Sequence, residues 1–429
     1  MITRALFTTF FCAALLAASP AHAGLPGSPG GENDQVSQES TLQAGDVLPG
    51  RYIVRLDPDL PNLLGVADLQ AGVDALLLAV GGGQSLHLYQ TALTGAAVEL
   101  VESRAAMLQS LPGVLSVEPD TVVTVRASQA GATWGLDRVD QPFLPLDDTY
   151  QYPDQAGQGV NVYVIDTGIR DTHEEFTGRV IAGRNFAVND TGLLGLGGLP
   201  LIGPLVNIGG ETDPNDTTDC NGHGTHVAST SVGRLYGVAK QASVAAVRVL
   251  DCSGAGSTAD VIAGVDWVAA NHQAPAVANM SLGGGNSDAL DDAVRGAVEQ
   301  GVTFVVAAGN SDANACDGSP NRVPEAITVG STDREDQRSS FSNFGECLDL
   351  FAPGSEITGA WYQSDTETNT ISGTSMASPH VAGAVALLLG ASPGLAPSQV
   401  DAALEDLAST NVLSDVNSGS PNLLLQVPR

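Results

Sequence analysis

Short, wholly apolar runs bounded by glycine and polar clusters dominate the chain from residue 134 onward. "VNVYVID" (160–166), "SVAAVRVL" (243–250), "AVANMSL" (276–282) and "VTFVVAAG" (302–309) show no polar–apolar alternation, which predicts strands buried on both faces. Helical spacing predicts helices near 257–271, 288–300, 374–390 and 397–408. Together these predict an α/β fold, a mainly parallel sheet flanked by helices on both faces. A smaller α/β unit precedes it. There "RYIVRL" (51–56), "SLHLYQTA" (85–92) and "LSVEPDTVVTV" (115–125) read as strands, and 66–80 and 101–111 as helices. No internal repeat or heptad is visible.

The first residues change the picture of the cysteines. Arg4, the apolar stretch "ALFTTFFCAALLAAS" and "AHA" (21–23) read as a secretory signal, residues 1–23. The stretch is too short to span a bilayer and no later run reaches about 20 apolar residues, so no membrane anchor is expected. Residues 24–45, rich in Gly, Ser and Pro, read as a disordered leader. Cys12 leaves with the signal. Cys220, Cys252, Cys316 and Cys347 remain, an even count that in an exported chain favours two disulfides. The absence of a CxxC pair argues against zinc. A formal charge of −31, with Lys240 the only lysine, argues against nucleic acid as a partner.

Polar residues interrupt the apolar pattern at the ends of elements. Asp166 closes an apolar strand and precedes Gly168, at the edge where open α/β sheets place their sites; it could equally cap a turn. His223, between Gly222 and Gly224, opens a small-residue helix. His226, three residues on, reads as a packed histidine, since HEXXH-type metal pairs need i,i+4 spacing and a Glu. Ser375 lies among small residues where the long helix begins, either a cap or a reactive hydroxyl near free N–H groups. Asn310 follows Gly309 at a strand end, as a turn residue or an amide donor. Taken together, the four match a nucleophile, a base, a carboxylate that orients it and an oxyanion donor.

"VIDTGI", "NGHGTHVAST", "VVAAGN" and "SGTSMASPHVAGA" resemble the signature blocks of subtilisin-like serine peptidases, in that family's order. The resemblance spans roughly residues 130–428 and implies a subtilisin-like fold and broad endopeptidase activity through an acyl-enzyme. It implies Asp166 as orienter, His223 as general base then acid, Ser375 as nucleophile and Asn310 as oxyanion donor. It also implies that "CSGAGS" (Gly254, Gly256) and "SLGGG" (Ser281, Leu282, Gly283, Gly284) are edge strands flanking an extended substrate.

Finer likeness is to the proteinase K-like, aqualysin-type branch. It implies the pairings Cys220–Cys252 and Cys316–Cys347, each closing a loop long enough to contribute about 3–4 kcal/mol. It implies structural calcium, held by the Asp349 carboxylate with the Pro324 and Ala326 carbonyls, and by a second set, Asp137, Asp140, Gln141 and Asp147. In that second set Thr149 replaces the family's Asn. Residues 46–128 resemble the inhibitory propeptide of such enzymes, a ferredoxin-like unit that blocks the cleft until cut near Ala127 to Gln129. The peptidase domain is then 129–429. The expectation is a secreted, self-processing monomer acting on protein and peptide substrates. An apolar insertion at 189–216 is longer than the family pattern and reads as a self-packed loop or a lid.

Overall fold

The computed structural model describes residues 47–121, 126–187 and 213–428. The signal, the leader and most of the 189–216 insertion lie outside the described residues. The small unit runs β1 (Val47–Leu56), α1 (Leu60–Leu64), α2 (Leu69–Ala79), β2 (Gln84–Tyr89), β3 (Gly95–Glu99), α3 (Glu102–Leu108) and β4 (Val114–Thr121). Its antiparallel sheet has the order β2-β3-β1-β4. Leu60, Val73, Leu76 and Leu108 fill one face with Val54, Leu56 and Val98. The sequence reading lacked β3, because "GAAVE" is short and its small residues carry little strand signal.

A two-stranded ribbon follows, β5 (Arg126–Ala130) antiparallel to β6 (Thr149–Pro153), with α4 (Trp134–Val139) between them. The main sheet is built from β7 (Asn161–Asp166), β8 (Val180–Asn185), β9 (Ser243–Arg248), β10 (Ala276–Met280), β11 (Thr303–Ala307), β12 (Ile327–Thr332) and β13 (Leu350–Pro353). These seven strands are parallel to their neighbours. Helices α5 (His223–Val232), α6 (Thr258–Asn271) and α7 (Asp288–Glu299) lie between strands along the chain. A second ribbon, β14 (Ile357–Ala360) with β15 (Thr368–Ile371), leads into α8 (Thr374–Ala391) and α9 (Pro397–Leu407). Last come β16 (Ser409–Thr410) and β17 (Leu423–Leu424), which extend the sheet beyond β13.

Both faces of the sheet are buried, as the unbroken apolar runs require. Val162 and Val164 of β7, and Val244 and Ala246 of β9, join one core with α5 and α8. Their neighbours Tyr163, Ile165, Ala245 and Val247 join the other, with α6 and α7. Period-two side chains thus feed two cores from one strand. Among the described helices, α8 alone is long and apolar enough to cross a membrane, and 78% of it is buried in the domain.

The strand order β11-β10-β7-β9-β8 places later strands on both sides of β7. Its carboxyl end is therefore a topological switch point, where an open sheet leaves a crevice. Asp166 ends β7, Ser281 follows β10 and Asn310 lies just beyond β11, so three of the predicted site residues share that edge.

Candidate active site

Asp166 is fully buried, and its two oxygens lie 2.8 and 2.9 Å from His223 Nδ1. Oδ1 also accepts from the Thr167 N–H. His223 sits on the first turn of α5, its side chain 27% exposed. Burial pushes the imidazole pKa down. The Asp166 charge, its hydrogen bond and the Asp219 charge outweigh that, and the net position is above the ordinary histidine value. With Nδ1–H committed to the carboxylate, Nε2 is the nitrogen free to take a proton.

Asp219 is a residue the sequence reading missed. Its Oδ1 accepts from the N–H groups of Asn221 and Gly222 and from the Thr167 hydroxyl. Its Oδ2 accepts from the Thr225 N–H and hydroxyl. This one buried carboxylate satisfies free donors at the start of α5, fixing the turn that carries His223. The signal was the short Asp–xxx–His spacing in "DCNGH", which reads equally well as loop. His226 is fully buried, its Nε2 paired with the Ile357 carbonyl at 3.0 Å, so it packs as expected.

Ser375 lies on the first turn of α8. In this state its hydroxyl donates to the Ser281 carbonyl at 3.1 Å; among the described residues no hydrogen bond joins it to His223. Rotation of the hydroxyl is needed before it can give its proton to the imidazole, and such bonds commonly tighten only with substrate in place. A closed ring holds the serine backbone. Ser378 Oγ donates to Asn279 Oδ1 (2.7 Å), Asn279 Nδ2 to Ser281 Oγ (2.9 Å), and Ser281 Oγ to the Ser375 carbonyl (2.8 Å). Asn279 and Ser378 are wholly buried, so the ring ties the end of β10 to the first turn of α8.

Asn310 is oriented by its own oxygen. Oδ1 accepts from the Thr374 N–H at 2.8 Å and from the Thr374 hydroxyl at 3.0 Å. The NH2 group is thereby left as the outward donor beside Ser375, the arrangement a developing oxyanion requires. Asn343 braces the loop from below, accepting from Ser311 and Ala313 and donating to Ala308.

Two depressions meet along 281–284. One, of about 490 Å³, is lined by His223, Leu250, Ser253 to Gly256 and Ser281 to Gly285. The other, of about 530 Å³, holds Ser375, Asn310 and Ser281 to Gly284. Gly254, Gly256, Ser281, Leu282, Gly283 and Gly284 therefore face one trough. They are extended segments and turns rather than the regular edge strands expected; of the six, only Gly284 makes a bridge, to Ser319. Both expected disulfides are present, Cys220–Cys252 and Cys316–Cys347, each beside a wall of the trough.

The two calcium sets differ. Asp349 Oδ2 accepts from the Thr328 N–H (2.6 Å), which holds it two residues from Ala326. Burial drives its carboxyl up to about 7, with Asp401 and Glu405 adding to the rise. Asp401 Oδ1 is buried without a partner. Desolvated carboxylates of one sign are a donor type that suits a hard divalent cation. The second set is bonded to the backbone more extensively. Asp137 accepts from the N–H groups of Asp147 and Asp148, Asp140 from Gln151, and Asp147 from Thr149. Gln141 turns its amide NH2 to the Phe143 and Pro145 carbonyls. These bonds tie the loop that carries the four side chains to its own backbone, and for neither set does a group of three or more His, Cys, Asp or Glu gather among the described residues.

Comparison with known proteins agrees with the geometry. Residues 157–423 match the family described as Subtilase family, and 51–126 match Peptidase inhibitor I9. The chain belongs to the subtilase family. An extracellular serine proteinase of Thermus sp. (strain Rt41A) is 48% identical over 400 residues, covering 90% of this chain and 92% of that one. The alkaline serine exoprotease A of Vibrio alginolyticus is 53% identical over 312 residues, 73% of this chain and 53% of its own. A crystal structure of a cold adapted subtilisin-like serine proteinase superposes with a TM-score of 0.63 at 52% identity, over 70% of this chain and all of that one. This subtilase is a secreted serine endopeptidase made with an I9-type inhibitory propeptide.

Proposed function

We propose that Ser375, His223, Asp166 and Asn310 carry out peptide hydrolysis by acyl transfer. Ser375 Oγ attacks the scissile carbonyl carbon while its proton passes to His223 Nε2. Asp166 holds the imidazole and stabilises the imidazolium that forms. The carbonyl oxygen, now an anion, accepts from Asn310 Nδ2–H and from the Ser375 N–H at the helix start. His223 then gives its proton to the leaving nitrogen and the C–N bond breaks. Water, deprotonated by the same imidazole, releases the acyl group and restores the hydroxyl.

The observation that carries this reading is the His223–Asp166 pair at 2.8 Å, on the sheet edge that also presents Ser375 and the Thr374-anchored Asn310. An extended peptide would bind by main-chain bonds between 253–256 and 281–284, which suits broad specificity. Residues 46–128 act as intramolecular inhibitor and 129–429 as a monomeric peptidase, separated by a self-made cut near Ala127 to Gln129. Calcium binding is common in this family. In this chain Pro324, Ala326 and Asp349 are its proposed holders, and the ion would stiffen the entry to β12.

A fluorophosphonate probe tests the assignment. Ser375 should be labelled in the mature protein, and Ser375→Ala should block labelling and leave the precursor uncut on a denaturing gel. Complete processing of Ser375→Ala in a protease-free host would refute self-cleavage; labelling at another serine would refute the nucleophile.

A further inference from the structure

We infer that the Cys220–Cys252 disulfide is a thiol-exchange site, where a low-molecular-weight thiol adds to Cys252 Sγ and Cys220 leaves as a thiolate held by Arg248. Arg248 is only 4% exposed, and its guanidinium reaches the bridge. Nη2 donates to Cys220 Sγ at 3.2 Å and lies 3.8 Å from Cys252 Sγ. Its other hydrogen bonds go to carbonyls, from Nε to Leu250 at 3.4 Å and from Nη1 to Thr218 at 3.1 Å. None of these bonds goes to a carboxylate. A disulfide sulfur is a weak acceptor, whereas a thiolate in the same place receives a charge-assisted bond. The Arg248 contact therefore strengthens as the S–S bond breaks, which makes Cys220 the better leaving group.

The two ends of the bridge also differ in access. Cys252 is exposed, in the 250–256 turn that walls the trough, and Cys220 is half-buried beside the buried Asp219. A thiolate arriving from solvent meets Cys252 Sγ and bonds to it. The Cys220–Cys252 bond breaks, and its electron pair leaves on Cys220 Sγ. A second thiolate then attacks the outer sulfur of the mixed disulfide and displaces Cys252 as a thiolate. The bridge has gained two electrons, and the two thiols have become their own disulfide.

The second bridge, Cys316–Cys347, has neither feature. Cys347 packs against the apolar cluster of Leu348, Phe351 and Leu413, and among the described residues no guanidinium or ammonium donates to either sulfur. What the first bridge joins gives the exchange its consequence. Cys220 lies between Asp219, which fixes the start of α5, and Asn221, whose Oδ1 accepts from the His223 N–H at 3.2 Å. Cys252 adjoins Ser253 of the trough wall. Opening the bridge cuts the covalent tie between the His223 turn and that wall, while the Asn221 Nδ2 bond to the Cys252 carbonyl (3.1 Å) remains.

Glutathione, added to the mature enzyme at mildly alkaline pH and followed by acid quenching, alkylation and peptide mass mapping, tests this. It should appear on Cys252, with Cys220 as the free thiol, at least about tenfold faster than on Cys316 or Cys347. Alkylation of that free Cys220 should have a pH midpoint below the ordinary thiol value of about 8.5. Arg248→Gln should slow the exchange at least about threefold, and Arg248→Lys should not. The alkylation midpoint needs no variant, so it reads the Arg248 contact even where Arg248→Gln does not fold. Glutathione on Cys220, equal rates at the two bridges, or a Cys220 midpoint at or above about 8.5 would overturn the inference. Peptide hydrolysis should fall as the mixed disulfide accumulates and return on reoxidation, a consequence that rests on the proposed reading of the trough. Unaltered hydrolysis by fully thiolated enzyme would overturn that consequence. An untreated enzyme that neither cleaves peptides nor takes up fluorophosphonate would instead strike the peptidase reading, whereas the mass map needs no activity.

Discussion

Gly222, the residue before His223, has φ +111°, and a Cβ built there would lie 2.6 Å from Cε2 and Cζ2 of Trp361. Trp361 cannot simply swing away. Its ring stands edge-on to His226 (6.4 Å between centroids) and to Tyr362 (5.8 Å), and its backbone N–H donates to the Glu367 carbonyl. Gly222→Ala therefore adds a left-handed backbone cost of about 1–2 kcal/mol to an overpacking cost of about 1–3 kcal/mol. A total of about 2–5 kcal/mol lowers Tm on the order of 10 °C in a domain of this size. The displaced turn also moves His223 against Asp166, and kcat/KM should fall about 10- to 100-fold. Calorimetry and the rate of fluorophosphonate inactivation measure both effects. Adding Trp361→Leu should restore the packing part and leave the backbone part. Wild-type Tm and kcat/KM in Gly222→Ala, or a double variant no better than the single one, would refute the reasoning.

The pH profile follows from His223, which must be neutral to accept a proton. Its pKa lies above the ordinary value of about 6.5, so kcat/KM should rise with pH through a midpoint above that value. The stability from the charged pair runs the other way, fully present below about pH 6.5 and lost as pH climbs through the folded pKa. Asp166→Asn leaves burial unopposed by its charge, so the midpoint should drop and kcat fall about 10⁴-fold; an unmoved midpoint would exclude Asp166 as the carboxylate that orients the imidazole. Ending the chain at Asn422 strips Leu424, Leu425 and Val427, all essentially buried, a loss of about 5–9 kcal/mol. That rivals the whole stability of a domain, and secretion of active enzyme should cease; a truncated chain with the full-length Tm would contradict the burial argument. Chelator should lower Tm, and Asp349→Asn should shrink the difference between chelated and calcium-loaded samples; an undiminished difference would exclude Asp349 as a ligand.

Local pattern was enough for the sheet's central strands and for the longer helices; it singled out four candidate site residues, whose roles came only from the family resemblance. Buried strands announce themselves as apolar runs, and Asp166, His223, Asn310 and Ser375 each break such a pattern where an element begins or ends. Strands β8 and β12 escaped because glycine and polar residues interrupt "VIAGRN" and "ITVGST", and β13 and β17 because they are only four and two residues long. Roles that depend on a distant partner were equally out of reach. Asn310 becomes an outward donor only because Thr374, 64 residues later, takes its oxygen. That Asp137 and Asp147 accept from backbone N–H groups is likewise visible only in the fold. Residue type and spacing state what chemistry a side chain is capable of; which of its lone pairs and protons remain unspent is settled by hydrogen bonds between segments that only folding brings together.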